Sequence, residues 1–279
     1  MTSLNWQCGA WRLLGDRQPL VMGILNVTPD SFSDGGRHVR QSDAVEYASA
    51  MVAAGVGIVD VGGESTRPGA APVSEAEEIA RVLPVVTALA AIGTVPVSID
   101  TRRAAVARAC VEAGASIVND VSGFRDPAMV EAAAGSDAGL VVMHMLGEPA
   151  TMQEDPRYDD VVAEVAAFLG ERAEVLQAAG VARERIALDP GIGFGKTTAH
   201  NLELLRRLPE IAELGYPVLV GASRKRFIGN ILGEDDPARR VHGSVGAAVS
   251  AVLGGAHIVR VHDVAETVQA IKVVSAIRG

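Results

Sequence analysis

Short apolar runs rich in Val, Ile and Leu recur along the chain, each followed by a polar or glycine-rich break and then an amphipathic stretch. The runs are Val21 to Asn26, Gly57 to Val61, Val95 to Asp100, Ser116 to Asn119, Leu140 to His144, Ile186 to Asp189, Val218 to Gly221 and His257 to His262. None alternates strictly between apolar and polar, which is the pattern of parallel strands covered on both faces. Between the runs, apolar residues return at helical spacing: Val45, Ala48, Met51 and Val52; Val106, Ala109, Cys110 and Ala113; Val264, Val268, Ile271 and Val274. Ser74 with Glu77 predicts a capping box, and Asp126-Pro127 predicts an N-cap followed by Pro at the first helical position. Gly55, Gly114 and Gly180 fall where helices should stop. Eight βα units predict an α/β fold, a single-domain (β/α)8 TIM barrel over residues 19–279; a doubly wound open sheet is the alternative. Residues 1–18 precede the first run and are expected to form a short hairpin capping the bottom of the barrel.

Composition narrows the reading. A length of 279 residues suits one such barrel, typically about 250 residues. Hydrophobic residues make up 48% and aromatics only 4%, so the core must be aliphatic. A net charge of −9, from 34 acids against 25 bases, argues against a nucleic-acid coat or a polybasic membrane patch. No apolar stretch approaches the roughly 18 residues that span a bilayer, and the N-terminus lacks the basic and apolar segments of a secretory signal. Cys8 and Cys110 have no metal-like spacing and form no framework of bridges, so a reducing, cytoplasmic setting is expected; Cys110 reads as a small core residue.

In a (β/α)8 barrel the reacting groups sit at the C-terminal strand ends and the loops that follow. The runs end in, or just before, Asn26, Asp60, Asp100, Asn119, His144, Asp189, the Ser223-Arg224-Lys225 segment and Arg260-Val261-His262. One Asp or Asn after a strand is usually a turn former. Eight polar ends converging on one face instead describe a polar pocket. Asp100, Asn119 and Asp189 suit a flat heterocycle with several N–H donors, because a carboxylate can take two parallel N–H bonds from a guanidine-like edge. Arg67, Lys225, Arg260 and His262, with backbone at Gly62-Gly63, suit phosphate or carboxylate groups. The connections Val27 to Gly36 and Gly62 to Val73 exceed the usual 2–6 residues of a βα loop and read as lids. Gly191-Ile192-Gly193-Phe194-Gly195-Lys196-Thr197 looks like a phosphate-binding P-loop, but Pro190 stands where that motif needs its first Gly. Ser223 has no His-Asp pairing nearby in the sequence to suggest a hydrolase triad.

The segments Gly23 to Gly36 (GILNVTPDSFSDGG) and Asp60 to Gly69 (DVGGESTRPG) resemble the two signatures of the dihydropteroate synthase family. Further matches follow in family order: Ile99-Asp100-Thr101, Asn119-Asp120, Met143-His144-Met145, Asp189 to Lys196, Gly221 to Lys225 and Arg260 to Asp263. The resemblance implies condensation of 6-hydroxymethyl-7,8-dihydropterin diphosphate with 4-aminobenzoate. It implies that Asp100, Asn119, Asp189 and Lys225 hold the pterin ring, with Met143 packed nearby. Asn26, Arg260 and His262 would hold the diphosphate, and the Asn26 carbonyl would reach Mg2+, the implied cofactor. Thr66, Arg67, Pro68, Phe194 and Ser223 would frame the aminobenzoate. Lys225, Arg260, His262 and Asp100 would carry the catalysis, by an SN1-like route that needs no strong base. The family's homodimers form through outer helices, so Gly243 to Gly255 is either such a contact or an ordinary buried helix. Three rivals stay open at this point: a pterin-binding methyltransferase, a catalytically silent paralogue and an aldolase-type barrel with Lys225 as Schiff base.

Overall fold

The computed structural model describes residues 5–14, 19–27, 37–64, 73–148 and 151–279. Eight parallel strands form the barrel: β3 (Leu20–Asn26), β4 (Ile58–Gly62), β5 (Val97–Asp100), β6 (Ile117–Asp120), β7 (Gly139–Met143), β8 (Ile186–Asp189), β9 (Leu219–Val220) and β10 (Ile258–Val261). They are bonded in the order β8-β7-β6-β5-β4-β3-β10-β9, and a parallel bridge between Leu188 and Val218 joins the two ends. Closure leaves no open edge in the sheet. The doubly wound alternative is thereby excluded.

Helices α1 (Arg37–Ala54), α2 (Glu75–Ile92), α3 (Ala104–Glu112), α4 (Pro127–Ala134), α5 (Val161–Ala178), α6 (Thr198–Arg206), α7 (Leu208–Ala212), α8 (Arg226–Leu232), α9 (Val241–Leu253) and α10 (Val264–Arg278) cover the outside. Their local signals act largely as the sequence predicts. Asp126 accepts the Ala128 N–H ahead of Pro127, and Gly55, Gly114 and Gly180 take φ of +97°, +105° and +96° beyond their helices. The predicted capping box at Ser74 is only half formed. Ser74 Oγ accepts the Glu77 N–H at 3.3 Å, but the Glu77 carboxylate turns to Arg81 one helical turn on. The ion pair takes the carboxylate that the box would have used to close on the Ser74 backbone.

Residues 5–14 form an antiparallel hairpin, β1 (Asn5–Cys8) with β2 (Trp11–Leu14). It plugs the N-terminal end of the barrel. Trp6, Cys8, Leu13 and Leu14 pack onto residues at or near the strand starts: Met22, Ile58, Ile117, Val141, Ala187, Leu219 and Ile258. The Trp6 indole donates to the Arg185 carbonyl at 2.9 Å, satisfying its N–H in a fully buried place. Gly139 opens β7 because a Cβ there would lie 2.3 Å from Cys8 Sγ. Cys110 is likewise a buried core residue, its thiol pushed up to about 12 by burial. With the bottom closed, the opposite mouth is left for chemistry. No described helix is long and apolar enough to cross a membrane.

Candidate active site

Strand register builds the floor of the mouth. Asn26 of β3 pairs in register with Gly62 of β4, Gly62 with Asp100 of β5, and Asp100 with Asn119 of β6. On the far side Met143 of β7 pairs with Asp189 of β8. Because side chains alternate along a strand, residues two apart share a face, so Asp60 lies one layer below Gly62 on the same side. The glycine at 62 leaves the space between Asn26 Oδ1 and Asp100 open: a Cβ there would stand 3.7 Å from each.

Arg260 enters from β10 and bridges two carboxylates. Its Nε lies 2.6 Å from Asp60 Oδ2 and its terminal nitrogen 2.6 Å from Asp100 Oδ2. Asn119 Nδ2 also donates to Asp60 Oδ2, at 3.3 Å. Burial works against the Arg260 charge, yet Asp60 and Asp100 together hold its pKa above the ordinary value. Asp100 is pushed up to about 7, chiefly by burial; Arg260 pulls it down and Asp60 pushes it up. Asp189 is pushed up to about 6 by burial, offset by the Gly191 N–H that its Oδ1 accepts at 2.7 Å and by the charges of Lys225, Arg260 and Lys196.

Beside this floor lies a small apolar wall of Val121, Met143, Met145, Met152 and Phe194. Lys225, the N-cap of α8, holds its ammonium 3.9 Å from the centre of the Phe194 ring, a cation–π contact. Ser223, two residues earlier, accepts the His262 N–H at 3.2 Å and pairs with His262 Nδ1 at 3.1 Å. The Ser-His pairing that the linear sequence hides is therefore present, because β9 and β10 are neighbours. The adjacent carboxylate, Asp263, binds Arg224 through its Nε at 3.2 Å rather than serving the imidazole.

The structure thus brings Asn26, Asp100, Asn119, Met143, Asp189, Phe194, Ser223, Lys225, Arg260 and His262 to one end of the barrel. Thr66, Arg67 and Pro68, and most of the first long loop at 28–36, lie outside the described residues. Two further participants carry no assigned role in the sequence reading. Asp60 was visible only as one strand end among eight. Lys196, dismissed with the failed P-loop, is buried at the mouth with its ammonium 2.9 Å from His144 Nδ1. His144 is pushed down to about 3 by burial and by the nearby Lys196 and Arg125 charges.

Residues 22–262 match the family model described as pterin binding enzyme. The dihydropteroate synthase of Escherichia coli (strain K12) is 52% identical over 258 residues, covering 92% of this chain and 91% of that relative. The chain belongs to the dihydropteroate synthase family of pterin binding enzymes. Two solved members share its fold closely. The Xanthomonas albilineans dihydropteroate synthase with 4-aminobenzoic acid superposes with a TM-score of 0.93 at 48% identity, over 100% of this chain and 99% of that one. The Burkholderia cenocepacia dihydropteroate synthase complexed with 7,8-dihydropteroate gives 0.90 at 48%, over 100% and 98%. Membership makes the chain a transferase, and its polar mouth lies at the C-terminal strand ends, where this fold carries its chemistry.

Proposed function

We propose that this chain condenses 6-hydroxymethyl-7,8-dihydropterin diphosphate with 4-aminobenzoate, giving 7,8-dihydropteroate and diphosphate. The observation that carries the reading is the Asp60–Arg260–Asp100 bridge: one guanidinium held between two carboxylates on the barrel floor. Asp100 has an alternative use for the same oxygen, as acceptor for a pterin N–H. Once a pterin takes Asp100, Arg260 keeps its bond to Asp60 and presents its freed nitrogen to the diphosphate. Asp189 and Asn119 complete the acceptors for the ring, Met143 packs against it, and Lys225, its ammonium over Phe194 at the same mouth, serves the ring.

The reaction then follows from the inventory. The methylene C–O bond breaks with its electron pair leaving on the diphosphate, and the electron-rich dihydropterin spreads the resulting positive charge. The aniline nitrogen attacks that carbon with its lone pair and sheds a proton to water. No nucleophile is needed from the protein. Arg260 and His262 stabilise charge growing on the leaving oxygens, while Asp100 and Asp189 offset the charge on the ring. Phe194 and Ser223, with Thr66, Arg67 and Pro68, frame the aminobenzoate.

Mg2+ suits the donor set. Asn26 offers a neutral carboxamide oxygen at a strand tip, facing Asp100 across the space that Gly62 leaves open. That matches an ion which keeps waters and binds largely through a substrate's phosphates, and which would supply positive charge to the leaving group. In the same reading two copies pair through outer helices, where Leu253 of α9 and Val273 and Ile277 of α10 remain exposed. The deciding experiment supplies both substrates and follows dihydropteroate and released diphosphate, with a sulfonamide as competitor. A folded protein that yields neither product would reject the reading.

A further inference from the structure

The glycine-rich segment after β8 resembles a phosphate cradle in sequence, and its structure has the opposite polarity. A P-loop turns backbone N–H groups onto an anion. Here the backbone turns carbonyls onto a cation. Lys196 Nζ lies 3.0 Å from the Gly191 carbonyl, 3.0 Å from the Phe194 carbonyl and 2.9 Å from His144 Nδ1. An ammonium has three donors; these three close acceptors take them, with the His144 carbonyl a longer contact at 3.5 Å. Lys196 is 3% exposed, and burial pushes it down to about 7 while the nearby Asp189 raises it; three acceptors converging on Nζ suit its protonated form. Neutral His144, held well below its ordinary pKa, is the form that has a lone pair to offer at Nδ1.

The loop can wrap the ammonium because alternate residues adopt left-handed backbone: Gly191, Gly193 and Gly195 have φ of +67°, +84° and +64°. Phe194 sits between the last two, and its N–H closes a turn on the Gly191 carbonyl at 3.1 Å. The Gly191 carbonyl therefore ties the Phe194 backbone and the Lys196 ammonium together. Three further side chains pin the loop from outside: Gln153 to the Gly193 carbonyl at 2.6 Å, Asn201 to the Gly193 N–H at 2.7 Å and Tyr158 to the Gly195 carbonyl at 2.9 Å. The ring that emerges is the one beneath the Lys225 ammonium.

We propose that Lys196 is a positioning residue whose buried ammonium organises the 190–197 loop and so sets the Phe194 ring at the aminobenzoate side of the site. This rests on the reading that Phe194 frames 4-aminobenzoate. The pterin acceptors Asp100, Asn119 and Asp189 stand on β5, β6 and β8, so sheet register sets their backbones, and of the three only Asp189 touches the loop, through the Gly191 N–H. The inference therefore separates the two substrates. Losing the ammonium spoils aminobenzoate recognition and spares the pterin.

The test measures steady-state kinetics for 4-aminobenzoate at saturating pterin diphosphate, and calorimetric binding of the pterin diphosphate alone. Lys196→Met is expected to raise the KM for 4-aminobenzoate about tenfold or more, the scale of a lost charge-assisted hydrogen bond, with pterin affinity within about threefold of wild type. Because Lys196→Met can also fail to fold, His144→Phe serves as the second variant. It keeps an aromatic ring against Phe168 and Tyr158 while deleting one of the three acceptors, and a smaller rise in the same KM is expected. Phe194→Ala is the control on the underlying reading. If it raises the KM while Lys196→Met, or His144→Phe in its place, leaves it unchanged, the positioning role is overturned and the aminobenzoate assignment survives. An equal loss of pterin affinity and aminobenzoate KM also overturns it, as a general scaffold effect. An unchanged KM in Phe194→Ala overturns the aminobenzoate assignment and the inference with it.

Discussion

Asp60 and Arg260 stand 200 residues apart in the chain and meet at 2.6 Å across adjacent parts of the barrel mouth. Asp60 is wholly buried, and its second oxygen, Oδ1, has no hydrogen-bond partner among the described residues. A buried carboxylate half satisfied in this way leans heavily on the guanidinium it does have. Arg260 in turn depends on Asp60 for its direction, since its other partner, Asp100, is the group a pterin would claim.

Breaking this pair should therefore cost both stability and turnover. Asp60→Ala is expected to destabilise the fold by about 3 kcal/mol, the scale for removing one partner of a buried ion pair. Thermal melting checks it, and an unchanged midpoint would show the pair to be idle. Arg260→Ala is expected to reduce kcat by about 10²–10³ in protein that keeps its native circular dichroism. Normal turnover in that variant would remove Arg260 from the anion site.

Asp189 offers a cleaner probe of the pterin end. Its Oδ1 already takes the Gly191 N–H, which leaves Oδ2 for a ligand. Asp189→Ala removes the acceptor for a guanidine-like edge and leaves those N–H groups unpaired on binding. Calorimetry with pterin diphosphate should then show no measurable heat of binding. Retained affinity would move the pterin elsewhere.

Much of this was legible along the chain, and what was not has a common cause. The run Ile186 to Asp189 coincides with β8, the other runs end within one residue of their strands, and sheet register brings Asn26, Asp100 and Asn119 to one level. Strand starts drifted where backbone pairing changes. β5 begins at Val97 rather than Val95, and Val218 makes only a bridge before β9. Asp60 carried no distinguishing mark, because its meaning comes from Arg260 at the other end of the sequence. Ser223 and His262 are separated by 39 residues and pair only through neighbouring strands. Lys196 misled for a different reason: a glycine-rich loop with a lysine reads the same whether its amides or its carbonyls face inward, and burial decides which.

The two raised carboxyls give the site a pH signature. Burial pushes Asp100 up to about 7 and Asp189 up to about 6, against about 3.9 for a free Asp, with Arg260 opposing the rise at both. Their contribution to folding stability is full below the unfolded value and is lost as pH rises through that window. A ligand that needs both carboxylates ionised works in the opposite direction and drives the protons off. Pterin binding should therefore release protons at about pH 6 to 7, and affinity should fall as the medium is acidified through that range. Calorimetry in buffers of different ionisation heat measures the release. A buffer-independent heat at pH 6, taken as the lower end of that range, would place the ligand away from both carboxyls.

In the proposed reaction Mg2+ would be held by Asn26 together with the diphosphate of the substrate. An ion held largely by substrate oxygens exchanges readily, so excess EDTA should lower turnover and added Mg2+ should restore it. The full rate in EDTA would show that Arg260 and His262 carry the leaving-group charge alone.

The loop that holds Lys196 makes the sharpest structural prediction. Gly180 and Gly191 both have positive φ, at +96° and +67°, but their surroundings differ. A Cβ at Gly180 meets nothing within 4 Å, whereas one at Gly191 would stand 1.9 Å from the His144 carbonyl oxygen. Gly180→Ala should therefore pay only for backbone strain, about 1–3 kcal/mol. Gly191→Ala must in addition push the β7 and β8 ends apart and swing its own carbonyl off the Lys196 ammonium. Its melting midpoint should fall well below that of Gly180→Ala, and its KM for 4-aminobenzoate should rise in whatever fraction remains folded. Equal midpoints for the two variants would mean that the loop yields freely, and that its alternating glycines set no fixed seat for Phe194.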